Sequence, residues 1–189
     1  MFREMSRRLL SPNIIVWSAA ISACEKGVKW EHGLKLLQEM RCSGQKPNLV
    51  SYNAVVSSCE VAQHWEWALE SVQRARRGGV SLDVVSHNAL VSACEKGQQW
   101  NQAIRCLWEV RANHLVPDIM TCGPAMYACG RSGQWKQVLD IVEQMRSQEL
   151  EVDTMMYRAA VSACEKGDNL EGAAAWMDEM WRTGIARLR

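Results

Sequence analysis

Ala23-Cys24-Glu25-Lys26-Gly27 recurs as Ala93-Cys94-Glu95-Lys96-Gly97 and again as Ala163-Cys164-Glu165-Lys166-Gly167. Looser versions, Ser58-Cys59-Glu60 and Ala128-Cys129-Gly130, fall midway between these copies, so the interval is 35 residues. A second ruler agrees, because Trp30, Trp65, Trp100 and Trp135 are spaced by the same 35 residues and no insertion breaks the register. A fixed period of this size marks a chain built from stacked supersecondary units, each too small to bury its apolar face alone.

Framed from Ile14, the repeats run 14–48, 49–83, 84–118, 119–153 and 154–188, with 1–13 as the tail of a preceding partial repeat. Each frame holds two helix-length segments. In the third, Val85, Ala89, Val91 and Cys94 recur at helical intervals as far as Lys96, and Gly97 is expected to take the left-handed turn that ends the helix. A second segment from Trp100 to about Ala112 sets Trp100, Ala103, Ile104 and Leu107 on one face and turns Asn101, Gln102 and Arg105 outward. Pro117-Asp118 then punctuates the chain. Three residues after each Trp stands a small residue, Ala68 or Ala103, repeated as Ala173 and varied by Gly33 and Val138, which lets paired helices approach closely. Helices this short are marginal alone, so the fold is all-α and held by burial between neighbouring hairpins. The Trp column reads as core, each site contributing on the order of 3 kcal/mol.

The composition, 48% hydrophobic and 23% charged, is that of a folded chain, and no apolar run approaches the roughly 20 residues of a membrane span. A net charge of +1 gives no global basic excess, so any binding of nucleic acid must rest on charge placement. Cys24, Cys59, Cys94, Cys129 and Cys164 occupy equivalent points on helices stacked about 8–10 Å apart, whereas a disulfide needs Cα atoms within roughly 7 Å. They read as small hydrophobes packed between helices. Cys42, Cys106 and Cys122 stand outside that column, and no Cys-x-x-Cys or Cys/His spacing forms a metal site; no metal and no cofactor are expected.

The ends fit the same frame. Phe2-Arg3-Glu4-Met5 matches Leu37-Gln38-Glu39-Met40, which favours a truncated array over a transit peptide for the segment bearing Arg3, Arg7 and Arg8. At the other end Trp176, Met177, Met180 and Trp181 crowd the last helix, and such an apolar edge predicts further repeats, a partner or self-association.

The run Val84-Val85-Ser86-His87-Asn88-Ala89-Leu90-Val91, through Gly97, Ala103 and Pro117-Asp118, closely resembles the pentatricopeptide repeat consensus. Leu49-Val50-Ser51-Tyr52-Asn53-Ala54 resembles it as well, and the likeness covers essentially the whole chain. Tetratricopeptide repeats, by contrast, run at about 34 residues with a different aromatic pattern. The resemblance implies a right-handed superhelical α-solenoid of antiparallel helix-hairpin repeats that reads single-stranded RNA at about one base per repeat. It also implies residence in a chloroplast or mitochondrion and a role in RNA processing, stability, editing or translation. In that family the fifth and last residues of a repeat select the base, the second residue sandwiches it, and a basic residue ending the first helix approaches phosphate. On this chain the selecting pairs become Ser18 with Asn48, Asn53 with Asp83, Asn88 with Asp118 and Gly123 with Asp153. The sandwiching residues become Ile15, Val50, Val85, Met120 and Met155, and the phosphate residues Lys26, Lys96, Arg131 and Lys166, with Val61 interrupting the stripe. The family's code makes the first pair adenine-like and the two Asn–Asp pairs uracil-preferring, with cytosine tolerated. Repeat four departs from the pattern, since Gly123 has no side chain to read an edge and Pro124 follows it. Repeat five has Arg158 and Leu188 at its selecting positions and is assigned no base.

Each of these residues has a plainer reading. The cations equally complement the negative end of a helix dipole, and Asn48, Asp83, Asp118 and Asp153 stand where any helix would take an N-cap. Ser18, Asn53 and Asn88 are more diagnostic, because Ser and Asn cost helix propensity without a capping benefit; a solvated face is their alternative. Catalysis is not expected. The zinc deaminase pattern and a Gly-rich phosphate loop are absent, and His32, His64, His87 and His114 sit at unrelated repeat positions, as surface or groove residues. Glu25, Glu95 and Glu165 recur with the scaffold. The competing function is a protein-binding scaffold of the helical-repeat type, which the near-neutral charge favours.

Overall fold

The computed structural model describes residues 13–183, and among them are ten α-helices and no strand. The partial repeat read over the first twelve residues, and the closing Leu188, lie outside the described residues. Helices α1 (Ile14–Lys26) and α2 (Trp30–Cys42) make the first hairpin, α3 (Leu49–Val61) and α4 (Trp65–Arg77) the second, and α5 (Val84–Lys96) and α6 (Trp100–Ala112) the third. Helices α7 (Ile119–Arg131) and α8 (Trp135–Ser147) make the fourth, and α9 (Thr154–Lys166) and α10 (Leu170–Arg182) the fifth. The fold is an all-α helical repeat solenoid. No described helix is long and apolar enough to cross a membrane.

Packing divides the chain within α5 into two compact units, one ending at Ala93 and the other beginning at Cys94. In the first unit α1 packs on both α2 and α3, and α4 covers α3. In the second, α7 packs on α6, α8 and α9, and α10 covers α9. First helices thus stack on first helices, with second helices as an outer layer. The contact surface is lined by residues such as Ile21, Val55 and Val56 in the first unit and Met126, Ile141 and Ala160 in the second, all 0–1% exposed.

The turn inside each hairpin follows one hydrogen-bond scheme. The periodic cysteine carbonyl accepts the amide five residues on: Lys29 onto Cys24 at 2.9 Å, His64 onto Cys59 at 2.9 Å, Gln134 onto Cys129 at 3.0 Å and Asn169 onto Cys164 at 2.9 Å. The left-handed residue of this turn is not the recurrent glycine. It is the next residue, Val28 (φ 52°), Gln98 (φ 57°) or Asp168 (φ 54°), while Gly27 and Gly167 have φ of −88° and −96°. The expectation for Gly97 is therefore corrected by one position. At Gly167 the reason for glycine is space: a Cβ there would lie 2.6 Å from the Gly133 carbonyl oxygen and 2.5 Å from Trp135 Cδ1.

That contact also revises the Trp column. Trp30, Trp65, Trp100 and Trp135 each begin a second helix and are half-buried, not core. Trp30 lies against His64, with ring centroids 4.3 Å apart, and Trp135 against Gly167, so these indoles cover the turn of the following hairpin. The fully packed indoles are Trp17 and Trp176. The small-residue positions behave as expected, since Gly33, Ala68, Ala103, Val138 and Ala173 are all buried. Every cysteine is a free thiol, and Cys59, Cys94, Cys129 and Cys164 are buried. Burial pushes the Cys59 and Cys129 thiols up to about 12, which keeps them protonated and inert.

Candidate nucleic-acid interface

The closing residue of each repeat is the N-cap of the next first helix. Asn48 Oδ1 accepts from the Ser51 amide at 3.0 Å, Asp83 Oδ1 from the Ser86 amide at 2.8 Å, Asp118 Oδ1 from the Thr121 amide at 2.9 Å and Asp153 Oδ1 from the Met156 amide at 2.8 Å. Asn13 does the same for α1 through the Val16 amide at 3.0 Å. The plainer reading of this column is thus real, and it fixes the direction of each closing side chain.

In the first unit, a further link joins the closing residue to the fifth residue of its own repeat. Ser18 Oγ lies 3.0 Å from Ser51 Oγ and donates weakly to Asn48 Oδ1 at 3.5 Å. One repeat later the Asn53 amide nitrogen donates to Asp83 Oδ1 at 3.3 Å, and the Asn53 amide oxygen accepts from the Ser86 hydroxyl at 2.5 Å. That same hydroxyl lies 2.7 Å from Asp83 Oδ1, so its single proton is shared between two acceptors. Burial alone would raise the Asp83 carboxyl. Hydrogen bonds from the Ser86 hydroxyl and amide and from Asn53 outweigh it and hold the carboxyl below its ordinary range. Ser51, Ser86 and Thr121 were missed in reading the sequence, although a hydroxyl three residues after Asn or Asp is a recognisable helix-start signature. All three are buried, and Thr121 completes a full capping box with Asp118.

Ser18, Asn53 and Asn88 are half-buried in α1, α3 and α5. Asn88 belongs to the first unit and Asp118 to the second, and each is described within its own. Gly123 differs. It is buried, and a Cβ there would meet Met156 Cε at 3.1 Å. Met156 replaces the hydroxyl of Ser51, Ser86 and Thr121, so an apolar plug stands where the other repeats carry a polar cluster.

The second residues of the repeats are the most exposed apolar column in the molecule: Ile15 at 71%, Val50 at 56%, Val85 at 63%, Met120 at 67% and Met155 at 54%. Each lies one helix position before the capped N3 residue of its first helix. Lys26, Lys96, Arg131 and Lys166 are exposed at the ends of their first helices. Two are engaged within the second unit: Arg131 pairs with Glu95 at 3.0 Å, and Lys166 Nζ donates to the Arg131 carbonyl at 3.0 Å. The latter is the helix-end role anticipated as the alternative. His87 is corrected from surface to core, being 1% exposed with Nδ1 at 2.9 Å from the Asp83 carbonyl. Among the described residues no three His, Cys, Asp or Glu side chains group as metal ligands.

Comparison with known proteins accords with this architecture. The PPR repeat family model matches residues 12–60, the pentatricopeptide repeat domain model residues 72–132, and a PPR repeat model residues 124–150. No curated protein matches the chain significantly. Among solved structures, the PPR domain of Arabidopsis thaliana protein-only RNase P 1 in complex with tRNA is 14% identical, with a TM-score of 0.78 over 88% of this chain and 88% of that one. The pentatricopeptide repeat protein PPR10 in complex with an 18-nt psaJ RNA element is 23% identical, with a TM-score of 0.73 over 97% of this chain. The nuclear proteinaceous RNase P 2 from A. thaliana is 12% identical, with a TM-score of 0.80 over 89% of this chain. The chain spans 27% of the length of PPR10 and 38% of that of RNase P 2. At these identities the likeness is one of fold. With three repeat models tiling most of a sequence that never leaves its 35-residue register, the chain belongs to the pentatricopeptide repeat family.

Proposed function

We propose that the chain binds single-stranded RNA with sequence selectivity, as a binding module in organellar RNA processing, stability, editing or translation, in a chloroplast or mitochondrion. The observation that carries this reading is the exposed apolar column Ile15, Val50, Val85, Met120 and Met155 beside hydrogen-bonding clusters. Leaving five large apolar side chains in water costs burial free energy at every repeat, and flat nucleobases are the ligand that such a ladder of flanks accommodates. The RNA bound in two of the structural neighbours supports the same reading.

Each base would lie between successive apolar flanks with its edge toward the selecting pair. Asn53 has one amide hydrogen and one lone pair left after its bonds to Asp83 and Ser86, which complement the O4 acceptor and N3–H donor of uracil. Ser18 with Asn48 is proposed to prefer adenine, and Asn88 with Asp118 to follow Asn53 with Asp83. Gly123 with Asp153 is proposed to pass a base without choosing it. Lys26, Lys96, Arg131 and Lys166 are the proposed phosphate contacts, Arg131 exchanging Glu95 and Lys166 exchanging the Arg131 carbonyl for phosphate oxygen.

Titrating the chain with short RNAs containing adenine followed by two uracils, against scrambled RNA and matching DNA, tests the proposal. Preference for the designed RNA, weakening as salt rises, is the expected result. Equal affinity for all three would defeat it. A net charge of only +1 favours a second reading, a peptide-binding scaffold, and this predicts no response to any of the oligonucleotides.

A further inference from the structure

Arg41, Arg76, Arg111 and Arg146 recur at 35-residue intervals in the last turn of the second helices. In the second unit the use of this column is visible. Arg146 is salt-bridged to Glu179 on the next second helix, Tyr157 donates to the same carboxylate at 3.1 Å, and the guanidinium lies 5.9 Å from the Trp176 ring centroid. Glu179 thus serves as an internal anion between a guanidinium and a phenol.

The equivalent point in the first unit keeps the arginine and the tyrosine, has Ser71 where Trp176 stands, and reverses one charge. Arg41 corresponds to Arg146 and Tyr52 to Tyr157, but Arg74 stands in the place of Glu179. Two guanidiniums therefore line the cleft where the other unit pairs a guanidinium with a carboxylate. Arg41 and Arg74 line a cleft of about 460 Å³ between α2 and α4 with Gln38 and Cys42. Arg41 also lines an adjoining space of about 230 Å³ with Lys46, Pro47 and Tyr52. Both guanidiniums act on the Tyr52 phenol, pulling its pKa down against the burial that raises it. One carboxylate offsets this charge: Glu70, 2.8 Å from Arg74 Nε. A guanidinium has five N–H donors, so Arg74 keeps four beyond that bond, and no described carboxylate forms a salt bridge with Arg41.

We propose that the cleft between α2 and α4 binds a phosphate group from solution, held by Arg41 and Arg74 with Lys46 at its rim, which supplies the negative charge that Glu179 provides in the second unit. Two forked guanidiniums and an ammonium match a tetrahedral dianion better than a single carboxylate. The cleft is separate from the selecting clusters, and its occupancy does not depend on the reading of bases.

The test is thermal unfolding of the chain with inorganic phosphate against chloride at matched ionic strength. A saturable rise in Tm of about 3–6 °C at ten times the dissociation constant is expected. Arg74→Glu, which restores the order of charges seen at Glu179, and Arg41→Gln should each abolish the phosphate response. A 5′-phosphorylated dinucleotide in place of inorganic phosphate separates the sources. Response to the free ion alone assigns the cleft to inorganic phosphate, and response to both assigns it to phosphate monoesters as well. No phosphate-specific shift in the parent chain, or an equal shift in Arg74→Glu, would overturn the proposal.

Discussion

Repeats two and four place different chemistry on one backbone frame. Where repeat two has Asn53, Glu60 and Gln63, repeat four has Gly123, Gly130 and Gly133, and where Ser86 lies under the first cluster Met156 lies under the second. The side-chain-free positions are sites of close approach in the second unit. A Cβ on Gly130 would stand 2.7 Å from the Ala159 carbonyl oxygen, one on Gly133 3.2 Å from the Lys166 backbone, and one on Gly123 3.1 Å from Met156. Gly123 also lets Pro124 sit inside α7, because the clash that bars a residue before proline from the helical region comes partly from its Cβ. Repeat four has given up a polar cluster for intimate contact between α7 and α9; repeat two has kept the cluster. The polar cluster is thus a local choice of two or three residues, independent of the period that builds the solenoid.

The largest effect expected from breaking this contrast is at the tightest contact. Gly130→Ala should destabilise the chain by about 2–3 kcal/mol, read by urea unfolding, because its Cβ meets backbone that has no rotamer to yield. Parent-like stability would show that α7 and α9 have room to separate. Next in size, the triple variant Gly123→Asn, Pro124→Ala, Met156→Ser installs the repeat-two cluster in repeat four. It should gain about tenfold preference for uracil at one added position, while Asn53→Ala should lose about tenfold at its own, as good edge contacts are worth ~1–3 kcal/mol. If Asn53→Ala instead lowers Tm as much as Gly130→Ala, Asn53 is structural. Val28→Gly should stabilise by about 1 kcal/mol, since a β-branched residue at φ 52° bears the left-handed cost that Gly133 avoids at φ 69°.

The smallest effect concerns pH. The Asp83 carboxyl is held below its ordinary value, so its stabilising contribution is present above the unfolded pKa of about 4 and is lost as pH falls through the lower folded value. Ser86→Ala removes the hydroxyl bond, should raise the folded pKa, and should make that loss smaller and complete at higher pH. NMR titration of the Asp83 side-chain carbonyl carbon reads the shift directly. No movement in the variant would mean that the Ser86 amide and Asn53 suffice.

Periodicity alone disclosed the hairpins, because Ile14, Leu49, Val84, Ile119 and Thr154 each begin a helix just after a capping Asn or Asp. Burial of Cys59, Cys94, Cys129 and Cys164 and of the small-residue column was legible for the same reason: a column of small apolar residues in a stacked array faces its neighbours. The Trp column misled, since a large aromatic reads as core whereas Trp135 lies over a turn whose glycine makes room for it. The turn glycines misled by one residue, as glycine is commonly read for its φ when Gly167 is there for lack of a Cβ. The capping place of Ser51 and Ser86 was legible, but their links to residues 33 positions earlier, Ser18 and Asn53, came only from the fold.

The double duty of the closing residue limits how such a chain can be respelled. Asn48 and Asp83 start the next helix with the same oxygen that belongs to the selecting cluster, so the alphabet at this place contracts to short side chains able to hold an amide. On the proposed reading, exchanging Asp for Asn changes a letter and leaves the helix start intact. A substitution outside that alphabet would loosen the following repeat along with the letter, so a drift in meaning at one site is checked by the folding of its neighbour.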